Sequence, residues 1–566
     1  MPPLLRALLV AVISTAVLAA AQPEDRPFSV VEASIAGMQA AMNAGQTTSR
    51  QIVEEYFARI RRYDELLRAS LAINSKALEQ ADALDRERAA GRVRGPLHGV
   101  PVAVKDNIQT TEMPTTGGTL AFRGFVPPYE ATLVRRLREA GAIVIAKTGM
   151  TELGNWMAGL PTPMPSGYNA IHGFGRNPFD PRLDPRPLAG GEPVMSPGGS
   201  SSGVGTSANL WAANVGTETS GSIINPASQT LLAAVKPTVG RISRYGIMPL
   251  AAEQDTPGPM AKYVSDVAIM LGAMEGTSPD PNDAATKACT PPPGNDYTRF
   301  LRAGGLRGAR IGIPRAYYYE AVLLPDRTLA GGLTAASRQL MTDAIRILRE
   351  QGAVVVDPAN VPSASARTAN DNVVLWESCW GADRSRLRDS GCSIVLKYGM
   401  KRDFNKWLAT LGGSAPVRSL TALREWNIAH AKEGSMRFNQ SSLDISDEMD
   451  VERDRARFEA DRARDVRLSV DEGLGAALSA NKLDALLFPD TMGASIAARA
   501  GYPTVMVPLG FVDGGIAPPA PGFDPRPQPF GVGFTGTACS EPKLLEIAYA
   551  FEQATKRRIA PDLELQ

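Results

Sequence analysis

A chain of 566 residues that is 44% apolar and 21% charged carries ample material for a buried core, which excludes a disordered or fibrous protein. Its 60 lysines and arginines stand against 59 acidic residues, a formal net charge of +1, and give no sign of the basic balance of a nucleic-acid binder. The three histidines, His98, His172 and His430, are scattered, and the four cysteines form no CxxC pair, so no metal-ligand spacing exists.

The N-terminus, MPPLLRALLVAVISTAVLAAAQPEDR, has Arg6, an apolar run from Ala7 to Leu18, and then Ala19, Ala20 and Ala21. This is the order of a secretory signal peptide, residues 1–21, cleaved after Ala21. The rival reading is an uncleaved anchor, for which the run is short. No later stretch reaches transmembrane length without charges, so the expected mature protein is secreted or periplasmic with no stable membrane insertion. In an oxidising compartment Cys379 and Cys392 are a candidate disulfide. The alternative, preferred on sequence grounds for the four cysteines Cys289, Cys379, Cys392 and Cys539, is buried free thiols.

Residues 22–90 read as an N-terminal helical part, because SVVEASIAGMQAAMNAG and SRQIVEEYFARIRRYDELLRASLAI place apolar residues at helical spacing. In GPLHGVPVAVKDN a short strand, Val100 to Val104, is entered through Gly95, Pro96 and Gly99. In EATLVRRLREAGAIVIAKTGM, Leu133, Val134 and Leu137 mark one helix face, Gly141 ends the helix, and AIVIA is a buried strand. The unit recurs in LMTDAIRILREQGAVVVDP, with Gly352 as the break. Apolar strands alternating with such helices predict an α/β fold with a largely covered sheet. Residues 160–198, rich in Gly, Pro and Asn, predict an ordered loop. Residues 360–470 read as helical and polar, and their mixed charges as a solvated face. LDALLFPDT and YPTVMVPLGF read as strands, and EPKLLEIAYAFEQATKRR as a closing helix.

The stretch 198–222, GGSSSGVGTSANLWAANVGTETSGS, carries the chemistry. A serine hydroxyl attacks only with a base beside it, and no histidine lies near in the sequence. Lys105, at the end of the apolar strand, either snorkels to water or is buried and neutral enough to accept a proton. Small apolar GVGTSANLWAANVG predicts a tightly packed buried helix rather than a linker. Glycines around Thr219, Ser220, Gly221 and Ser222 let several backbone N–H groups aim at one oxyanion. Gly203 to Ala208 also fits G-x-G-x-x-A, but PGGSSS before it is no strand, which excludes a dinucleotide site.

Together GVPVAVKDNI, GGSSSG and GTETSGS resemble the amidase signature family, as do TTGGTLAF, AGAIVIAKTGMTELGNW, QDTPGPMAKYVSDVAIML, RIGIPR, YPTVMVPLGF and FEQATKRRIAP. The wording GTET and SIINPA resembles the branch that includes bacterial peptide amidases. The resemblance implies one large domain over residues 22–566. It implies a mixed central sheet covered by helices on both sides, with 360–470 as a variable helical region. It implies a Ser–cis-Ser–Lys set: Lys105 as base, Ser200 as the bridging serine, Ser222 as nucleophile. Backbone N–H groups of Thr219, Ser220, Gly221 and Ser222 would form the oxyanion site, with no metal and no organic cofactor. Asp106 and Asn107 are expected to orient local backbone, and Trp156, Tyr168 and Asn169 are candidate substrate contacts. Ser200 and Ser222 are 22 positions apart, about two residues short of the family pattern, which predicts an intervening helix shortened by half a turn.

The expected function is hydrolysis of carboxamide C–N bonds through an acyl-enzyme, on peptide C-terminal or other small amides. The alternatives are an esterase or aryl-acylamidase on the same fold, or a catalytically inactive secreted binding protein. Another branch of the family forms amides on tRNA together with partner chains, and the N-terminal leader opposes that reading.

Overall fold

The computed structural model describes residues 28–186, 190–199, 203–386, 388–514, 523–524 and 526–564. The predicted signal peptide and Ser200 lie outside the described residues.

Among the described residues the N-terminal part holds three helices, Ile35–Asn43, Ser49–Leu67 and Ala77–Ala89, with a short strand before the third. The second opens on a capping box: Thr48 accepts from the Gln51 amide and the Gln51 side chain accepts from the Thr48 amide, which satisfies two donors a helix start otherwise leaves unpaired.

Among the described residues eleven strands build one mixed sheet. In chain order they are β1 (Ser70–Ile73), β2 (Pro101–Lys105), β3 (Ile143–Thr148), β4 (Ala213–Glu218), β5 (Ala233–Lys236) and β6 (Thr256–Ala261). The rest are β7 (Arg310–Gly312), β8 (Val354–Val356), β9 (Ala485–Pro489), β10 (Thr504–Val512) and β11 (Gln528–Thr535). They lie side by side as β1-β3-β2-β4-β6-β5-β10-β11-β9-β7-β8. β2 runs parallel to both β3 and β4, and β7 runs parallel to β8 and β9. The strands between these two parallel groups are antiparallel. β2 and β3 are buried at every residue, so both faces are covered, as continuous apolar runs require. The helix–glycine–strand units predicted from sequence are present: Thr132–Glu139 leads to β3 and Ala335–Glu350 to β8. Gly141 and Gly352 turn the chain at φ of 87° and 86°, a region glycine enters freely.

One expectation needs correcting. The segment after the serine cluster is not a long buried helix: only Val204–Ser207 is helical, and the chain then turns into β4. Trp211 folds back over the single turn, and a Cβ built on Gly205 would sit 2.0 Å from its ring. The Trp211 indole donates to Thr206 Oγ1 at 2.8 Å, and Thr206 donates on to Asn214 Oδ1 at 2.5 Å. The short serine-to-serine spacing therefore meets one helical turn and a strand, not a trimmed long helix. Gly205→Ala is expected to destabilise the fold by about 1–3 kcal/mol, the usual cost of overpacking, read as a lowered midpoint in urea. An unchanged midpoint would mean that Trp211 moves aside freely.

Segment 360–470 holds the helices Val395–Thr410, Leu420–Ala429, Ser441–Asp447 and Arg455–Val466. Phe404, Trp407, Leu420 and Leu443 from it share an apolar cluster with Phe122 and Trp156. The cysteines are a second correction: all four are paired. Cys379 is bonded to Cys392 with Cα atoms 5.1 Å apart, and Cys289 to Cys539, 250 positions along the chain, at 5.5 Å. The second pair follows from the docking of the last helix, Glu541–Thr555, and no local spacing announces it. Among the described residues no helix is long and apolar enough to cross a membrane.

Candidate active site

β2 ends in Lys105, and β4, its parallel neighbour, ends in Glu218 just before Thr219. Two segments more than a hundred residues apart in sequence thus deliver their ends to one point. The Lys105 side chain is buried, and its Nζ donates to the Thr217 carbonyl at 3.1 Å. Burial drives its pKa down to about 7, against the upward pull of the Asp255 and Glu218 carboxylates, because a desolvated ammonium is disfavoured. The snorkelling alternative is thereby removed.

From Glu218 the chain turns through Thr219, Ser220, Gly221 and Ser222 into the helix Ile224–Gln229. Gly221 makes the turn at a φ of 91°. The buried Glu218 carboxylate accepts from the amides of Ile223 and Ile224 at 2.7 and 2.9 Å, pinning the turn from below. A Cβ placed on Gly199 would lie 3.9 Å from Ser222 Oγ, so the chain at Gly199 passes beside Ser222. The Thr151 hydroxyl donates to the Gly199 carbonyl and anchors that approach. Glu218→Ala is expected to leave two buried amides unpaired. It should cost about 1–3 kcal/mol for each, seen in thermal unfolding, and lower kcat more than it raises KM. A variant as stable as wild type would show that these amides find other partners.

The residues that follow Lys105 hold the backbone around it. Asp106 accepts from the Thr116 and Gly118 amides at 3.0 and 3.3 Å and pairs with buried Lys147 at 3.6 Å. Asn107 donates to Thr217 Oγ1 and to the Met248 carbonyl, both at 3.1 Å.

Lys105, Thr217, Thr219 and Ser222 share the floor of a cavity of about 190 Å³. Residues 244–257, a loop running into β6, make one wall, and Met400 and Trp407 of the helix Val395–Thr410 make another. The loop is clamped to the turn by Asp255, which accepts from Thr219 Oγ1 at 2.5 Å and from the Leu250 and Ala251 amides at 2.8 and 2.9 Å. Burial raises the Asp255 carboxyl to about 6, against those hydrogen bonds. Its sequence signal was the stretch QDTPGPM; Trp407 had none, because only packing brings its helix here.

The three substrate-contact candidates are placed elsewhere, and none lines the cavity. The Trp156 indole donates to Ser446 Oγ at 2.9 Å. Tyr168 packs edge-on against Phe174 and Phe438. Asn169 Oδ1 accepts from the Ile171 and His172 amides at 3.1 and 2.8 Å and shapes its own turn. The histidines are also off the cavity: His98 is buried against the Leu84 carbonyl, and His430 stacks on Trp426.

A buried amine with a lowered pKa and a serine on a glycine turn, facing one cavity, are the parts of an acyl-transfer site. The family model described as Amidase matches residues 51–377. A probable amidase of Arabidopsis thaliana is 33% identical over 543 residues, 94% of this chain and 92% of that protein. The chain belongs to the amidase family and is a hydrolase of C–N bonds. Among solved structures it is similar to the native peptide amidase of Stenotrophomonas maltophilia, with 37% identity, a TM-score of 0.76, and coverage of 95% of this chain and 100% of that one. It is also similar to an amidase family protein from Bacillus anthracis, with 29% identity, a TM-score of 0.77, and coverage of 94% of this chain and 93% of that one.

Proposed function

We propose that this amidase is exported and releases ammonia or an amine from small carboxamides, peptide C-terminal amides among them, through Lys105, Ser200 and Ser222. The observation that carries the reading is the buried Lys105 with its pKa near 7, on the same cavity floor as Ser222. Neutral Lys105 takes a proton relayed through Ser200 as Ser222 Oγ forms a bond to the amide carbon. Backbone N–H groups of Thr219, Ser220, Gly221 and Ser222 hold the negative charge on the carbonyl oxygen. The C–N bond breaks as the relay returns the proton to the leaving nitrogen. Water then adds to the acyl-enzyme by the same route, releases the acid and restores Ser222.

The likeness to a peptide amidase over nearly the whole chain supports the peptide-amide reading. Two disulfides support export, since they persist in oxidising compartments. The test is ammonia release by the purified protein from peptide C-terminal, aliphatic and aryl amides, with Ser222→Ala as control. Release that vanishes in the variant is expected. Turnover of esters or anilides alone would shift the reading to the alternatives on the same fold, and no turnover at all to an inactive binding protein. N-terminal sequencing of the exported protein tests cleavage after Ala21.

A further inference from the structure

We propose that the cavity selects one bulky apolar or aromatic side chain next to the scissile amide, with Trp407 and the stacked pair Tyr129 and Tyr245 as specificity-determining residues. The inference rests on the amidase reading and deepens it by naming the substrate class: the C-terminal amide of a residue such as phenylalanine or leucine.

At about 190 Å³ the cavity lies below the ~300 Å³ at which drug-sized sites begin. It holds the reacting amide and one side chain, not a folded peptide.

Tyr129 and Tyr245 stack with centroids 5.1 Å apart, and the Tyr129 hydroxyl is engaged with Thr410 Oγ1 at 2.5 Å. The Trp407 indole N–H is occupied by Gln109 Oε1 at 3.3 Å. With these two polar atoms engaged, Tyr129 and Trp407 offer ring carbon to the cavity. Met150, Met248 and Met400 line the same cavity, and thioethers adapt to varied apolar shapes and favour contact with aromatic rings.

Three charge clusters on the walls are already matched. Arg244 holds Asp283 at 2.7 and 2.8 Å. Asp403 takes Arg402 at 2.7 Å and the Ala252 amide at 2.8 Å. Asp255 is filled by Thr219 and two amides. Lys406 lines the rim but is exposed. A charged side chain entering the cavity would be desolvated against groups that already have partners, which disfavours it.

The test is kcat/KM for ammonia release from N-acetyl amides of phenylalanine, leucine, glycine, aspartate and lysine. A single methylene in a fitted apolar pocket discriminates by about 10–200-fold. The phenylalanine and leucine amides should therefore exceed the glycine amide by roughly 100-fold or more, with the two charged amides below phenylalanine by at least as much. In Trp407→Leu the phenylalanine-to-glycine ratio should collapse. Trp407 also packs on Phe122 and Phe404, so Met400→Trp, which fills the cavity rather than emptying it, is the second variant. It should raise KM for the phenylalanine amide far more than for the glycine amide. Equal kcat/KM across the apolar and glycine amides, or a preference for a charged one, would overturn the selectivity and leave the amidase reading standing. Absence of ammonia from every amide would remove both.

Discussion

Ser222→Ala is expected to remove turnover, by roughly five to six orders of magnitude, as loss of a serine nucleophile does when it acts as one unit with its base. Among the described residues the turn offers no substitute for it. Thr219, the nearest threonine hydroxyl along the turn, is committed to Asp255, and Ser220 is exposed rather than on the cavity floor. Ser222 is only partly buried, and its hydroxyl is not part of the apolar core, so the variant should unfold within about 1 kcal/mol of wild type. The measurement is ammonia release under saturating amide, together with mass spectrometry for a covalent acyl adduct in the wild-type protein. A variant that keeps more than about 1% of the rate would place the nucleophile elsewhere.

The second large effect concerns Lys105. Lys105→Met keeps much of the side-chain volume but removes the proton acceptor, and kcat/KM should fall by about 10²–10⁴-fold. Lys105→Arg should fare no better, because a guanidinium stays protonated. The pH dependence follows from the direction of the shift. The reactive form is the neutral amine, and burial brings the pKa down to about 7. Activity should be full above that value and fall about tenfold per pH unit below it, as the ammonium takes over. Asp255, raised to about 6 beside the same turn, should steepen the limb further once it too is protonated. A rate that stays flat well into acid would show that Lys105 is not the base, whatever its burial.

Much of this could be read from the sequence, and the reason is local. Apolar residues at helical spacing placed the N-terminal helices, and a glycine after an amphipathic run placed the turns at Gly141 and Gly352. A valine-rich run ending in lysine placed β2. Glycine on the turn before Ser222 marked the position where the chain bends at positive φ. Each of these follows from backbone preference and from which face of an element must avoid water.

What failed to appear in the sequence depends on sums over distant segments. The 203–216 stretch reads as a helix by composition, yet Trp211 closes over Gly205 after one turn and the chain continues as a strand. Trp156, Tyr168 and Asn169 are of the right types for a pocket, but their hydrogen bonds and ring contacts commit them to other neighbours. Cys289 and Cys539 could be matched only once the last helix was docked. Local pattern was enough for most of the elements, the serine turn and a lysine at a strand end. Packing was needed to make that lysine dry and to choose which aromatic residues face it. Desolvation depends on every segment packed around a group, and no local pattern carries that information.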